Sequence, residues 1–341
     1  MNQSNFQLVR SDMPIIDMSD IQEAVVIDDP TSNLPDTTHF ITANTSPITL
    51  SQLRTENTIP VFAKDNALTI SHQDFCQAVY EAAKDFFHGE IVDEPAIRVS
   101  HEVKGRIPSA IHKPLAELLD TDKTIYWQRC AFVVKISGIQ REIDGNTMSL
   151  CIAGTRSYHL DRLTGRLCPQ HFKLGIGFLV SVCTNLCLTT DGLKHEILAT
   201  SPQDLYRAAL SLIQSYQMGQ QLAQLESLTN VVLTESQFAH ILGRTRLYNF
   251  LPYTHKRGLP CVAIPDNAVN AIAKAYYTDP NFAANDGGEI SMWKFYNLLT
   301  GAIRNTYVDL FLEREAAATT LAAGISAGVQ GSDSGYGWFL N

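Results

Sequence analysis

Runs of β-branched and aromatic residues with period two fill the chain from Ala96 to Cys183, and segments with helical spacing fill most of the chain beyond Ser201. That segregation constrains the fold more than any other feature. AIRVSHEV, TIYWQRCAFVVKI, TMSLCIAG and FKLGIGFLVSVC alternate as strands do, with a tight turn expected at Asp144-Gly145-Asn146. A further turn is expected at Asp191-Gly192, followed by a short strand HEILAT. Ser201 as N-cap and Pro202 at the first helical position then open DLYRAALSLIQSYQM. Thr234 or Ser236, Pro265-Asp266 and Ser291 open three more amphipathic helices, the last running on through TYVDLFLEREAAATTLAAGI. Strands first and helices afterwards predict an α+β fold, with an antiparallel sheet in the N-terminal half and a mostly helical C-terminal half packed on it.

The ends of the chain read differently. Residues 1–45 combine acids, Ser/Thr and prolines without a strong apolar pattern and predict a flexible acidic arm. A β-rich α+β region is expected over 46–200, a helical region over 201–330 and a Gly/Ser tail over 331–341. Within the second region, a hairpin is expected around Asp65-Asn66. A helix capped at Ser71 or His72 should come next, with Phe75, Val79, Ala82 and Phe86 on one face.

Composition matters through its distribution. The formal net charge is −9, but residues 1–60 hold eight acids against Arg10 and Arg54, so the rest of the chain is close to balance. No acid lies between Glu235 and Asp266, where Arg244, Arg246, Lys256 and Arg257 occur with His240 and His255. Seven cysteines, an odd number in a chain of this length, argue for reduced thiols over a disulfide framework. No uncharged apolar run reaches the length of about 18 residues needed to span a bilayer, and MNQSNFQLVRSDMP has no signal-peptide pattern. The expectation is a cytoplasmic protein that does not engage a membrane.

Each candidate chemistry competes with a packing role. Cys168, His171, Cys183, Cys187 and His195 have permissive zinc spacing, but Cys183 and Cys187 fall at the end of a β run, where thiols are small apolar fillers. His195 near Cys187 and Asp191 matches no cysteine-nucleophile signature and is expected to be exposed with Lys194 at a turn. KLGIGF lacks the third glycine and the strand-to-helix setting of a phosphate loop. Asp309 and Glu313 share a helix face, where solvation or local pairing is the default. No catalytic set, metal site or cofactor is therefore assigned, and the balance leans away from an enzyme.

Nucleic-acid contact gathers the most support. GRTRLYNFLPYTHKRGLP interleaves Arg244, Arg246, Lys256 and Arg257 with Tyr248, Phe250 and Tyr253, a set that neutralises phosphates while rings stack on unpaired bases. If the helix opened by Ser291 is continuous, Trp293, Asn297, Thr300 and Arg304 share one stripe beside Gly301. The expected site is Arg244, Arg246, Tyr248, Lys256 and Arg257, with Trp293 and Arg304. Its partner is nucleic acid, single-stranded DNA first.

VCTNLCLTTDG (Val182 to Gly192), MWKFYNLLTGAIRNTYVDLFLER (Met292 to Arg314), GRTRLYNFLP, the pattern at Tyr276 to Phe282, KGRIP at Lys104 to Pro108 and the terminal WFLN resemble domain-of-unknown-function family 3871. That family is itself similar to the phage/plasmid-like family 932. The resemblance runs from about residue 60 to the end. It implies a gene carried on a conjugative, plasmid or prophage-like element, and brings no activity with it. The role expected is a non-enzymatic single-stranded-DNA-binding protein in element replication, annealing or transfer. Two alternatives stand beside it: a protein-interaction or anti-defence factor using the acidic arm, and a metal- or cysteine-dependent enzyme. Self-association into a homo-oligomer is compatible with each.

Overall fold

Two long strands joined by a two-residue turn form the centre of the sheet. β5 (Arg129–Ile143) and β6 (Asn146–Ser157) pair antiparallel, and the connection has Asp144 at φ 50° and Gly145 at φ 73°. Positive φ at both central residues matches the right-handed twist of a hairpin, which is why Asp-Gly serves there. The computed structural model describes residues 40–56, 69–161, 170–332 and 335–340. All of these belong to one unit, Thr37–Asn341. The expected arm up to residue 39 and the Asp65-Asn66 hairpin lie outside the described residues.

In chain order the earlier elements are β1 (Ser46–Ile48), α1 (Leu50–Glu56), α2 (His72–Phe86), β2 (Ala96–Val99), β3 (Glu102–Arg106) and β4 (Lys123–Trp127). After β6 come α3 (Tyr158–Asp161), β7 (Gln170–Val180) and β8 (Leu186–Ala199). One six-stranded sheet runs β1-β2-β5-β6-β7-β8 with every neighbouring pair antiparallel, while β3 and β4 form a separate ribbon. The helical half comprises α4 (Pro202–Ser215), α5 (Met218–Ser227), α6 (Glu235–Phe250), α7 (Tyr253–Lys256), α8 (Asp266–Thr278), α9 (Met292–Ile303) and α10 (Val308–Val329). β9 (Val232–Leu233) and β10 (Ile290–Ser291) pair beside them. The predicted α+β class with an antiparallel sheet is what the chain adopts.

Alternation along the strands sends neighbouring side chains to opposite layers. On one face Phe75 of α2 meets Phe132 and Phe172 at ring separations of 5.0 and 4.8 Å, and a Cβ on Gly154 would strike the Phe132 ring. On the other face α10 lies across the sheet, with Ser157 of β6 donating to Asp309 and Thr319 donating to the Leu188 carbonyl. Ser71 caps α2 and Ser201 caps α4, each closing a reciprocal box with the Asp three residues on. Phe86, expected on the buried stripe of α2, is exposed.

Three sequence expectations need correction. Asp191-Gly192 is no turn: β8 runs straight through it, with irregular register against β7 where Gly175 and Gly177 admit the partner strand closely. The turn lies earlier, at 181–185, so Cys183 is in a turn with Thr184 at φ 56°, and only Cys187 is a buried strand residue. Lys194 lies on β8 and donates to Ser211 Oγ at 3.0 Å; the side chain of His195 is outside the described residues. Finally, the last helix is not continuous. It breaks between Ile303 and Val308, because Arg304 turns its carbonyl to the Thr42 N–H at 2.8 Å and Tyr307 is extended.

The 181–185 turn is also where the helical half docks. Asn185, 1% exposed, donates through Nδ2 to the Asn297 carbonyl of α9 at 2.9 Å, and Arg304 Nη1 donates to the Cys183 carbonyl at 2.5 Å. Asn185→Ala is expected to cost about 1–3 kcal/mol in urea unfolding, since it orphans a buried amide contact; a loss below about 0.5 kcal/mol contradicts the docking role. Nearby, Glu315 is fully buried with neither carboxyl oxygen hydrogen-bonded, and burial pushes its pKa up against the opposing charge of Arg304. A raised folded pKa leaves stability complete below the unfolded value and erodes it as pH rises above that value. Glu315→Gln is therefore expected to raise Tm at about pH 8 and to lose that advantage near about pH 4. Each unit of upward displacement is worth about 1.4 kcal/mol, or roughly 2–4 °C. The same Tm difference at both pH values contradicts a neutral, buried acid.

Candidate nucleic-acid interface

α6 begins with Thr234, whose hydroxyl oxygen accepts from the Gln237 N–H while the Gln237 side chain accepts from the Thr234 N–H. Phe238, Ile241, Leu242, Thr245 and Tyr248 form its buried face, with Phe238 stacked 4.1 Å from Tyr276. Side chains two positions beyond a buried residue lie about 200° round the helix. Phe250, two beyond Tyr248, therefore points outward with Leu247, at 73% and 57% exposure. Pro252 lacks an N–H and forces Leu251 to be extended (ψ 141°), which ends α6. Pro252 then starts the single turn of α7, whose first residue, Tyr253, is 77% exposed.

Three of the four cations expected here already have a partner within the protein. Arg244 lies over the Trp338 ring at 4.9 Å, and Lys256 over the Tyr248 ring at 5.1 Å while donating to the Asn249 carbonyl at 3.1 Å. Those rings belong to one cluster, because Phe339 is 4.9 Å from Trp338 and 6.3 Å from Tyr248. Arg246 Nε sits 3.3 Å from Asp266 Oδ1, and Arg257 is exposed at the end of α7. Arg246 precedes Phe250 by four residues and Arg257 follows Tyr253 by four, while Arg244 fastens the Trp338 segment to α6 and Lys256 fastens α7 to it.

Three expected contacts are corrected. Tyr248 is buried at 6% exposure, so its ring packs against protein rather than offering a face to a base. Trp293 is fully buried in α9, a helix apolar on nearly every side, and Nε1 has no acceptor. Arg304 is partly buried and committed to the 181–185 turn through Cys183 and Thr184. Of the three Tyr and Phe rings in the 244–257 stretch, Phe250 and Tyr253 reach solvent. The helical spacing of Ile241, Thr245 and Tyr248 was the signal that separates Phe250 from Tyr248.

A groove that no single stretch of sequence announces lies beside this surface. It holds about 440 Å³ and is lined by Asn44, His101, Arg129, Asn267, Tyr307 and Arg314, among others, with no carboxylate in its lining. The N-terminal ends of α8 and α10 both open on it, and neither is closed by a capping side chain. Asn267 follows Asp266, the partner of Arg246, so the groove adjoins the α6–α7 surface through that ion pair. Tyr307, 68% exposed, puts a solvent-facing ring on the groove.

Cys183 and Cys187 offer no thiolate. Burial pushes Cys187 up and Cys183 to about 11, so both remain protonated at neutral pH, whereas a nucleophile needs the thiolate. Among the described residues, no group of three or more His, Cys, Asp or Glu side chains is placed to hold a metal ion. Cys168 lies outside the described residues. No described helix is long and apolar enough to cross a membrane.

The fold and its surface define an α+β protein whose antiparallel sheet lies between helical layers, with exposed rings and cations on its C-terminal helices. The chain belongs to the family described as "Domain of unknown function, B. Theta Gene description (DUF3871)", whose model matches residues 20–340. Neither the curated proteins nor the solved structures hold a match to it.

The burial contrast has a stability readout. Phe250→Ser and Tyr253→Ser are expected to change unfolding free energy by less than about 0.5 kcal/mol, as solvent-facing substitutions do. Trp293→Ala is expected to cost about 3–5 kcal/mol. A loss above about 2 kcal/mol for either serine variant contradicts the outward placement of those rings.

Proposed function

We propose that this protein binds single-stranded nucleic acid, single-stranded DNA first, through the α6–α7 surface. The observation that carries the reading is the pair Phe250 and Tyr253, exposed at 73% and 77% and flanked by Arg246 and Arg257. Large rings left in water cost free energy that a stacked base recovers, by about 1–3 kcal/mol per base. Guanidinium groups on either side supply the phosphate contacts that hold a flexible strand in place. The carboxylate-free groove continues the path, with Arg129, Arg314 and Tyr307 along it. Arg246 leaves Asp266 when it meets a phosphate, an exchange of one exposed ion pair for another that costs little.

The setting we propose is cytoplasmic, on a phage- or plasmid-like mobile element, with a non-enzymatic role in replication, annealing or transfer. The family likeness supports that setting. A protein partner is the second reading, favoured by Leu247 at 57% exposure beside Phe250, which gives the surface an apolar centre.

Fluorescence anisotropy against single-stranded and duplex oligonucleotides over a salt series separates the two. The single strand is expected to bind more tightly. The double variant Phe250→Ala/Tyr253→Ala should lose about 30-fold or more in affinity, and Arg257→Glu should flatten the log–log salt slope by about 0.7 or more. Absence of binding at low salt, or binding indifferent to both variants, overturns this function for the surface.

A further inference from the structure

A separate cavity of about 190 Å³ lies between the sheet and the start of α10. Thr155 and Ser157 of β6 and His171 and Lys173 of β7 project from the same sheet face, two residues apart on each strand. Asp309 and Glu313, four apart on α10, come down on them. Glu196 of β8 closes the side, with Oε1 3.5 Å from His171 Nδ1. Sequence alone left Asp309 and Glu313 as solvated surface; in the fold both are part-buried and bonded to the sheet.

Most of the polar atoms here are matched. Asp309 accepts from Ser157 Oγ and from Arg129 Nε at 2.8 Å, and Lys173 Nζ donates to Glu313 Oε1 and to the Asp309 carbonyl. Arg156, which also lines the cavity, is paired with Asp161 at 3.2 Å. Four buried atoms of the lining residues have no partner: Thr155 Oγ1, His171 Nε2, Glu313 Oε2 and Arg156 Nε, the last on a guanidinium that lies over the Tyr158 and Phe172 rings. Thr155 is 2% exposed. Folds retain desolvated polar atoms where something outside the chain completes them. Setting Arg156 against Asp161, the three carboxylates Glu196, Asp309 and Glu313 face only Lys173 and Arg129 as full cations. One negative charge is left over, together with a free carboxylate oxygen.

We infer that this cavity binds a small organic ammonium compound. Its N–H groups donate to Glu313 Oε2, and a hydroxyl or second polar end meets Thr155 Oγ1 and His171 Nε2. The volume equals about six water volumes of ~30 Å³ each, which limits the ligand to roughly six to eight non-hydrogen atoms. Leu160 supplies an apolar wall for a short alkyl chain. The site uses none of the residues of the α6–α7 surface and shares with the groove only Arg129, through its bond to Asp309; amine binding is read without any nucleic acid present.

The probes are 4-aminobutan-1-ol, putrescine and the uncharged 1,4-butanediol, titrated into the full chain by calorimetry with thermal shift in parallel. Both amines are expected to bind with one-to-one stoichiometry and raise Tm, while the diol does neither. Glu313→Gln should weaken amine binding by about tenfold or more, because its remaining carbonyl oxygen can serve Lys173 but no free carboxylate oxygen is left. Should that variant unfold, Thr155→Val decides: aminobutanol binding is expected to fall more than putrescine binding. No amine binding at millimolar concentration, equal binding of the diol, or amine binding untouched by Thr155→Val in a folded protein shows a cavity filled by water alone and overturns the inference.

Discussion

The side chain of Asn185 is the joint on which the rest of the molecule depends. Its Nδ2 crosses from the β7–β8 turn to the Asn297 carbonyl in the middle of α9, at 2.9 Å and out of water. A buried amide bond of this kind is costly to leave unmade, so it fixes both the register and the rotation of α9 on the sheet end. Arg304 reaches the same turn about two helical turns later, and its carbonyl takes the N–H of Thr42. The break after Ile303 redirects the chain into α10. With α10 set, Asp309 and Glu313 face the sheet and the start of the helix opens on the polar groove.

Much of this architecture was legible because it depends on local periodicity. The Asp144-Gly145 turn, the caps at Ser71, Ser201 and Ser291 and the alternation of β5 and β6 are fixed by neighbouring residues. Asp191-Gly192 was misread because a glycine inside a strand and a glycine in a turn look alike; only the nearness of the Ile176 carbonyl, which a Cβ at Gly192 would strike, distinguishes them. The break after Ile303 depends on Thr42, far away in the chain, and no window of sequence contains both partners.

The candidate surface was half legible, for a related reason. α6 carries apolar residues on both faces, so composition alone cannot say which rings are core. Tyr248 and Phe250 exchange roles under a shift of two positions, and Pro252 is what leaves Tyr253 outside. Trp293 suffered the opposite error. A tryptophan beside an Arg and an Asn suggests a contact surface, yet α9 is enclosed by the sheet end, α8 and α10, and those polar residues serve its docking. The groove and the 190 Å³ cavity draw on β-strands and helices more than a hundred residues apart, which no linear motif records. Arg129 belongs to both sites: it lines the groove and holds Asp309 at 2.8 Å.

Two of the four expected cations turn out to be structural. Arg244 and Lys256 cover rings of the Tyr248–Phe339–Trp338 cluster, Arg244 tying the Trp338 segment to α6 and Lys256 tying α7 to it. The proposed binding of a single strand therefore rests on the exposed rings, with Arg246 and Arg257 as the cations left to meet phosphate. Ultraviolet crosslinking of the full chain to a photoreactive single-stranded oligonucleotide, with the attachment points mapped by mass spectrometry, tests that claim most directly. The account expects adducts on Phe250 and Tyr253; adducts confined to other elements, or none under conditions where the strand is bound, would contradict it.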